Sequence, residues 1–177
     1  MYKKIQSVFQ DDQIFTFLVI FRWASLIPAL LSLSSNSRQD IFSPLSVLFI
    51  ATIANGIISL FNRALNQLVI EHPPVLGVDL LFSAGLIAVS GGAHSSYYLY
   101  ALSPLLAGAF FFQSRGALFG ALVFTPLYLA SIYLGTRATS FQDSATLFAQ
   151  LTGIWLIPIL FAYPSTLLKD INHARED

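Results

Sequence analysis

The sequence contains no cysteine among its 177 residues, which excludes disulfide bonds, thiolate metal ligands and cysteine redox chemistry within the chain. Charged residues make up only 10%, against about 25% in soluble domains. The nine basic and nine acidic side chains cancel, so no net charge is available to attract nucleic acid. Three scattered histidines are too few to indicate a metal cluster. No nucleophile–base–acid arrangement or phosphate-binding glycine loop indicates a catalytic residue.

Apolar residues account for 55% of the chain and are grouped in long runs. A membrane-spanning helix needs about 20 consecutive, mostly apolar residues. The first such run is preceded by charged residues but followed by no small-residue cleavage site, so we expect no cleavable signal peptide. We predict an all-α polytopic membrane protein, with one transmembrane domain over residues 1–168. Its six predicted transmembrane helices are Gln13–Leu33, Phe42–Leu65, Pro74–Ser90, Ser96–Gln113, Gly116–Gly135 and Thr146–Leu168.

The distribution of basic residues predicts the orientation of these helices. An even number of spans puts both termini on one side of the membrane. With cytoplasmic termini, six basic residues lie inside and two outside, and the ninth, Arg22, lies within a span. Positive charge favours the cytoplasmic side, so we predict cytoplasmic termini. The inner residues are Lys3, Lys4, Arg63, Arg115, Lys169 and Arg175, and the outer ones are Arg38 and Arg137.

Residues 90–97, between the third and fourth predicted spans, form the most informative stretch. Two successive glycines allow a sharp turn, which this orientation puts on the outer face. The polar side chains that follow are able to donate hydrogen bonds to the carbonyls of a quinone-like ring. The alternative is an ordinary hydrated loop, with its tyrosines at the membrane–water boundary. The candidate ligand-binding residues here are Gly91, Gly92, His94, Ser95, Ser96 and Tyr97.

Two charged residues fall inside predicted spans. Arg22 lies near the middle of the first span, and Asp79 about a turn and a half into the third. A central arginine costs about 2.5–3.5 kcal/mol on insertion scales, so we expect the two side chains to form a buried charged pair. The pair either responds to a ligand, a proton or voltage, or acts only as a clip between two helices.

The last segment becomes polar without a helix stop signal. Leu167, Leu168 and Ile171 recur at the three- to four-residue spacing of a helical dimer seam. We interpret residues 169–177 as the start of a cytoplasmic connector helix. Earlier in the chain, small side chains offer faces for close helix packing, and these are Gly108, Gly116 and Gly120.

Residues 91–97 resemble a motif of a known family. The membrane domains of quinone-responsive redox sensor histidine kinases carry a Gly-Gly-x-x-Asn-Pro-Phe box after the third of six spans. Both glycines match, and Tyr97 stands where the family has phenylalanine. Ser95 and Ser96 replace the asparagine and proline of the box. Pro104 falls at the spacing of the family's proline in the fourth span, which adds it to the candidate ligand-binding residues.

Other sensor kinases of similar layout share further features with this chain. They show an Arg-Trp pair in the first span, as at Arg22-Trp23, and an aspartate in the third, as at Asp79. They also have an Arg-Gly step into the fifth span, as at Arg115-Gly116. The resemblance implies the sensory half of a two-component sensor histidine kinase in the bacterial inner membrane, without a kinase core in these residues. It also implies a homodimer, a quinone or other lipid-soluble ligand, a cytoplasmic transmitter module and a response regulator.

Two other classes of protein remain open from the sequence. A substrate-binding membrane subunit of a small-molecule importer also uses six spans in a chain of this size. It would need a roomy polar cavity on the outer side. An accessory subunit of a respiratory or photosynthetic complex would instead show a large apolar interface. The polar final segment favours the sensor over both.

Overall fold

The computed structural model describes residues 16–33, 43–135 and 144–174, and these are almost entirely helical. No strand occurs in these ranges, which confirms the predicted all-α class. The loops predicted at residues 34–41 and 136–143, and residues 175–177 of the connector, lie outside the described helices. In chain order the elements are α1 (Thr16–Ser32), α2 (Pro44–Leu60), α3 (Asn62–Glu71), α4 (Val75–Val89), a 3₁₀ turn (Gly92–His94), α5 (Tyr98–Gly135) and α6 (Ser144–Ala174).

Prolines start and interrupt the first two helices. Pro44 occupies the first turn of α2, where its missing N–H has no helical partner to lose. Pro28 lies inside α1, and its ring excludes the hydrogen bond to the carbonyl four residues earlier. The helix is accordingly broken by a turn at residues 25–26, where the Ser25 hydroxyl donates to the Arg22 carbonyl at 2.7 Å. α1 therefore consists of two helical pieces.

The second predicted span, Phe42–Leu65, is longer than the helix that forms. α2 ends at Leu60, because Phe61 leaves the helical region with φ −97° and ψ 19°. The following residues form the separate helix α3, whose sequence mixes polar and apolar residues. This second span is therefore corrected to a helix of 17 residues followed by an amphipathic one of 10.

α5 is a helical hairpin rather than one straight helix. Gln113 has φ 57° and ψ −145°, so the chain reverses there and leaves two arms, residues 98–112 and 114–135. The arms touch at Gly108 and Gly116, where a Cβ added to Gly116 would overlap the Gly108 carbonyl. The same Cβ would lie 2.6 Å from the Cβ of Phe112. This reversal agrees with the break predicted between the fourth and fifth apolar runs.

Contacts between helices show that the chain direction alternates along the bundle. We call residues 90–97 the corner, and the two ends of the bundle the corner end and the opposite end. At the opposite end, the Phe110 ring lies 5.9 Å from the rings of both Phe17 and Phe161. The second arm of α5 returns to the corner end, because a Cβ on Gly135 would lie 2.7 Å from the amide nitrogen of Gly92. Successive long helices are thus antiparallel.

The first arm of α5 lies at the centre of the bundle. Every residue from 100 to 106 is buried, and Tyr100 and Leu106 are completely inaccessible. Phe124 from the second arm and Ile154 from α6 pack into the same interior. The core is therefore built around one apolar arm.

Among the described residues, two helical stretches have the length and the apolar composition that a membrane crossing requires, and the first of them is the hairpin of α5. They are Tyr98–Gly135 and Ser144–Tyr163, each with a mean hydropathy of 1.8. The outer surface of the bundle is also rich in large apolar side chains. Leu60 is 83% exposed and Phe148 is 73% exposed.

Candidate functional site

Arg22 and Asp79 form an ion pair between α1 and α4. Arg22 Nη2 donates a hydrogen bond to Asp79 Oδ2. The arginine side chain is only 8% exposed and the aspartate 22%. The guanidinium carbon lies 5.1 Å from the centre of the Tyr100 ring, within the range of a cation–π contact. The structure therefore brings together the two charged residues that the sequence places inside apolar runs.

The hydrogen bonding around this pair is incomplete. Arg22 Nε is buried and has no hydrogen-bond partner among the described residues. The Tyr100 hydroxyl, whose ring lies beside the guanidinium, is in the same situation. Buried polar atoms in native proteins usually have a partner, which is often water or a ligand. The guanidinium thus retains a donor that its carboxylate neighbour does not use.

A cavity of about 380 Å³ lies against the ion pair. Its walls come from α1, α2, α3, α4 and the first arm of α5, and they are almost entirely apolar. Its lining includes Ile57 and Val78, which are 51% and 67% exposed, so the cavity opens to the outside between α2 and α4. The polar lining residues are Arg22, Asp79 and Ser103, and the apolar ones include Leu65, Val69, Leu76, Ala107 and Phe111.

The corner turns as its two glycines predict. Gly91 has φ 107° and Gly92 has φ 62°, and glycine adopts such values without a steric penalty. Ser90 donates to the Leu86 carbonyl, so the Ser95 hydroxyl is left to donate to Ser90. Ser95 also accepts a hydrogen bond from the Tyr97 amide at 3.1 Å. The hydroxyls of Ser90 and Ser95 therefore help to close the turn.

The candidate ligand-binding residues lie close together in the chain but outside the cavity. Ser95 and Tyr97 are 7% and 4% exposed, whereas His94 is exposed and Ser96 is half-buried. Pro104 is buried within the first arm of α5. None of the seven, including Gly91 and Gly92, lines the cavity beside the ion pair. At the corner, the hydroxyls of Ser90 and Ser95 bond to each other, and the corner residues lie away from the cavity.

Gln150 of α6 ties the corner to the last helix. Its Nε2 donates to the Ala93 carbonyl at 2.9 Å. The Tyr128 hydroxyl donates to its Oε1, and the Tyr98 hydroxyl donates to its backbone carbonyl at 2.7 Å. We call these three hydrogen bonds the Gln150 clasp. The clasp connects α6 to the corner and to both arms of α5.

A glycine makes room for the clasp. A Cβ on Gly153 would collide with the Tyr98 hydroxyl, so only glycine at this position lets that hydroxyl reach the Gln150 carbonyl. Gln150 was not predicted from the sequence, because only charged residues within the apolar runs, Arg22 and Asp79, were singled out. The available signal was a polar amide within the apolar run of residues 146–161.

Metal-ligating side chains are scattered among the described residues. These residues contain no group of three or more histidine, aspartate or glutamate side chains that could hold a metal ion. What they do contain is a buried ion pair with an unused donor, an apolar cavity beside it, and a hydrogen-bonded connection at the corner end. Together they make the ion pair with its cavity the candidate binding site of an all-helical protein.

A comparison with known families assigns the chain to one of them. The model of the family described as Domain of unknown function (DUF8745) matches residues 13–168, and the chain belongs to this family. No curated protein and no solved structure matches the chain.

Proposed function

We propose that this chain is the membrane-embedded sensory input domain of a two-component sensor histidine kinase. In this proposal it spans the bacterial inner membrane with six transmembrane helices and has both ends in the cytoplasm. It works as a homodimer, passes its signal to a cytoplasmic transmitter module and a response regulator, and responds to a quinone or another lipid-soluble ligand.

The exposed apolar surface supports a membrane location. Soluble monomers rarely expose large continuous apolar patches. Here large apolar side chains are exposed on α1, α2, α4, α5 and α6 alike. In the two longest apolar helices, only 28% and 17% of the most hydrophobic window is buried inside the bundle. A lipid environment would cover this surface at no cost.

The hairpin in α5 supports six crossings. At about 1.5 Å per residue, its second arm of 22 residues is roughly 33 Å long, close to the roughly 30 Å of the hydrocarbon core, whereas its first arm of 15 residues is roughly 22 Å long and short for a crossing. α2 and α4, with 17 and 15 residues, are short for a crossing. Local thinning of the bilayer accommodates short helices at modest cost.

The Gln150 clasp is the observation that carries the sensory part of the proposal. A sensor must connect the place where the stimulus acts to the element that leaves the membrane. Gln150 belongs to α6, which continues to Ala174 in the direction away from the corner. A movement of α4 or α5 that displaces the corner therefore pulls on α6 directly. A ligand produces such a movement only if it binds the two states with different affinity.

The cavity argues against the importer alternative. That class would need a roomy polar cavity at the outer, corner end. The cavity found here is apolar, and it is lined by Leu65 and Val69 from α3 at the opposite end. An accessory role in a respiratory or photosynthetic complex remains a rival, because exposed apolar surface also suits a permanent partner.

A chimeric kinase tests the proposal. The full chain is fused to a dimeric histidine kinase core, with one to four residues inserted after α6 to vary the helical phase. We expect autophosphorylation in membranes to rise and fall with the number of inserted residues, which sets the helical phase. In a fusion that is active, Gln150→Leu should change the rate of autophosphorylation severalfold. Thr152→Val is the matched control, because Thr152 is exposed and its hydroxyl bonds only within α6.

The amount and thermal stability of each fusion in membranes are measured alongside, so that misfolding is not read as lost signalling. Equal kinase activity in every phase, with normal folding of Gln150→Leu, would overturn the sensory proposal. Stable co-purification with a respiratory complex would support the rival.

A further inference from the structure

We infer that the cavity beside Arg22 and Asp79 is a binding site for an uncharged apolar molecule with one exposed acceptor oxygen, which enters from the lipid between α2 and α4. The inference rests on the proposed membrane location and names the ligand class of that function. It moves the ligand site away from the corner, where the Ser90 and Ser95 hydroxyls are already paired with each other.

The size and walls of the cavity set the apolar character of the ligand. Its volume of about 380 Å³ falls within the range of about 300–1,000 Å³ that is typical of small-molecule sites. Thirteen of its sixteen lining residues are apolar. Most of a ligand's surface in this space would therefore contact hydrocarbon.

The charge balance of the cavity excludes ionic ligands. Arg22 and Asp79 are its only charged lining residues, and they neutralise each other. A carboxylate would have to displace Asp79 from the arginine, and an ammonium would have to displace Arg22 from the aspartate. Either exchange leaves a buried charge without its partner, which is strongly unfavourable. A neutral molecule avoids this cost.

The unused donor of Arg22 specifies the polar end of the ligand. Arg22 lines the cavity, and its buried Nε has no partner among the described residues. A ligand carbonyl or ether oxygen can accept a hydrogen bond from this guanidinium while Nη2 stays on Asp79. The acceptor recovers the hydrogen bond that the arginine lost on burial. A pure hydrocarbon cannot do this.

The exposed lining residues give the entry route. Ile57 on α2 and Val78 on α4 line the cavity and are exposed on the apolar surface of the bundle. Leu65 and Val69 of α3 cover it at the opposite end. α3 is bounded by the non-helical residues Phe61 and His72. A ligand would therefore enter laterally from the lipid, between α2 and α4, while α3 covers the cavity at the opposite end.

Photocrosslinking in lipid nanodiscs tests the site. The probe is a dodecyl-chain methyl ketone that carries a diazirine, and peptide mapping reads out the attachment. We expect labelling of α3, α4 and the first arm of α5. Competition uses unlabelled molecules of matched chain length: the ketone, the alkane, the carboxylate and the amine. The ketone should compete roughly tenfold better than the alkane, as expected for one hydrogen bond to a charged donor. The two ions should compete least.

Variants separate the cavity from general lipid contact. Val69→Trp fills the cavity and should abolish the mapped labelling, whereas Ile70→Trp, at the adjacent and exposed position, should leave it unchanged. The double change Arg22→Met with Asp79→Leu removes the donor without leaving a lone charge. It should keep the labelling but lose the preference for the ketone over the alkane. Thermal unfolding in the same nanodiscs checks that each variant is folded.

Equal competition by ketone and alkane in the unmodified protein would assign the cavity to an acyl chain of the bilayer and overturn the inference. Labelling that survives Val69→Trp would overturn it as well. These outcomes do not depend on the kinase chimera. If the protein binds the ketone but kinase activity does not depend on the helical phase, only the sensory function is refuted. If kinase activity depends on the helical phase but the ketone and the alkane compete equally, only the proposed binding site is refuted.

Discussion

At the scale of single residues, the Arg22–Asp79 pair dominates the chemistry of the molecule. Arg22 is almost fully buried and Asp79 mostly buried, so their mutual attraction must offset a large loss of hydration. Neighbouring contacts help only in part: the Tyr100 ring lies 5.1 Å from the guanidinium carbon, while Arg22 Nε goes without a partner among the described residues. The pair is therefore costly to break from one side and much less costly to replace as a whole.

We expect Arg22→Leu alone, or Asp79→Asn alone, to destabilise the protein by about 3–5 kcal/mol, because each leaves the other group buried without its partner. The combined change to Arg22→Leu and Asp79→Asn should cost less than the two single changes added together. Thermal unfolding of the four proteins in nanodiscs gives the coupling. Strict additivity would mean that the ion pair contributes nothing to folding.

At the scale of secondary-structure elements, the hairpin of α5 decides how the bundle closes. Its two arms approach so closely at Gly108 and Gly116 that a Cβ on Gly116 would overlap the Gly108 carbonyl. Gln113 takes a backbone conformation that side chains rarely adopt, and such residues cost about 1–3 kcal/mol each. The tight packing of the arms holds this turn in place.

Gly116→Ala should destabilise the protein by about 1–3 kcal/mol, the usual cost of overpacking. The added methyl group would meet the Gly108 carbonyl and the Phe112 Cβ, and backbone atoms cannot rotate away. Gly77→Ala is the matched control, since an added Cβ there has no neighbour within 4 Å, and it should be neutral or mildly stabilising. Equal melting temperatures for the two variants would contradict the close contact of the arms.

At the scale of the whole molecule, the antiparallel order of the helices puts two exposed histidines at different ends. His94 belongs to the corner, and His72 lies between α3 and α4 at the opposite end. If the bundle crosses a membrane as proposed, these two positions face different compartments. The absence of native cysteine makes single-cysteine labelling clean.

We expect an impermeant maleimide to label His94→Cys in cells whose outer membrane alone has been permeabilised. His72→Cys should react only after the inner membrane is opened as well, because it lies on the cytoplasmic side in the proposed orientation. Labelling of both positions before the inner membrane is opened would contradict the single crossing that we expect between residues 72 and 94. The reverse pattern would invert the orientation.

The helical class, the reversal at Gly91 and Gly92 and the pairing of two charges could be predicted from the amino acids alone, because these features follow from local rules. Backbone freedom, proline chemistry and the cost of a lone charge in an apolar run act at the residues concerned. The bond between Ser90 and Ser95, the contact of Gln150 with the corner and the position of the cavity beside Arg22 became visible only in the folded bundle. Those features depend on which helices become neighbours, and groups 57 residues apart, such as the Gln150 side chain and the Ala93 carbonyl, meet only when the bundle has closed.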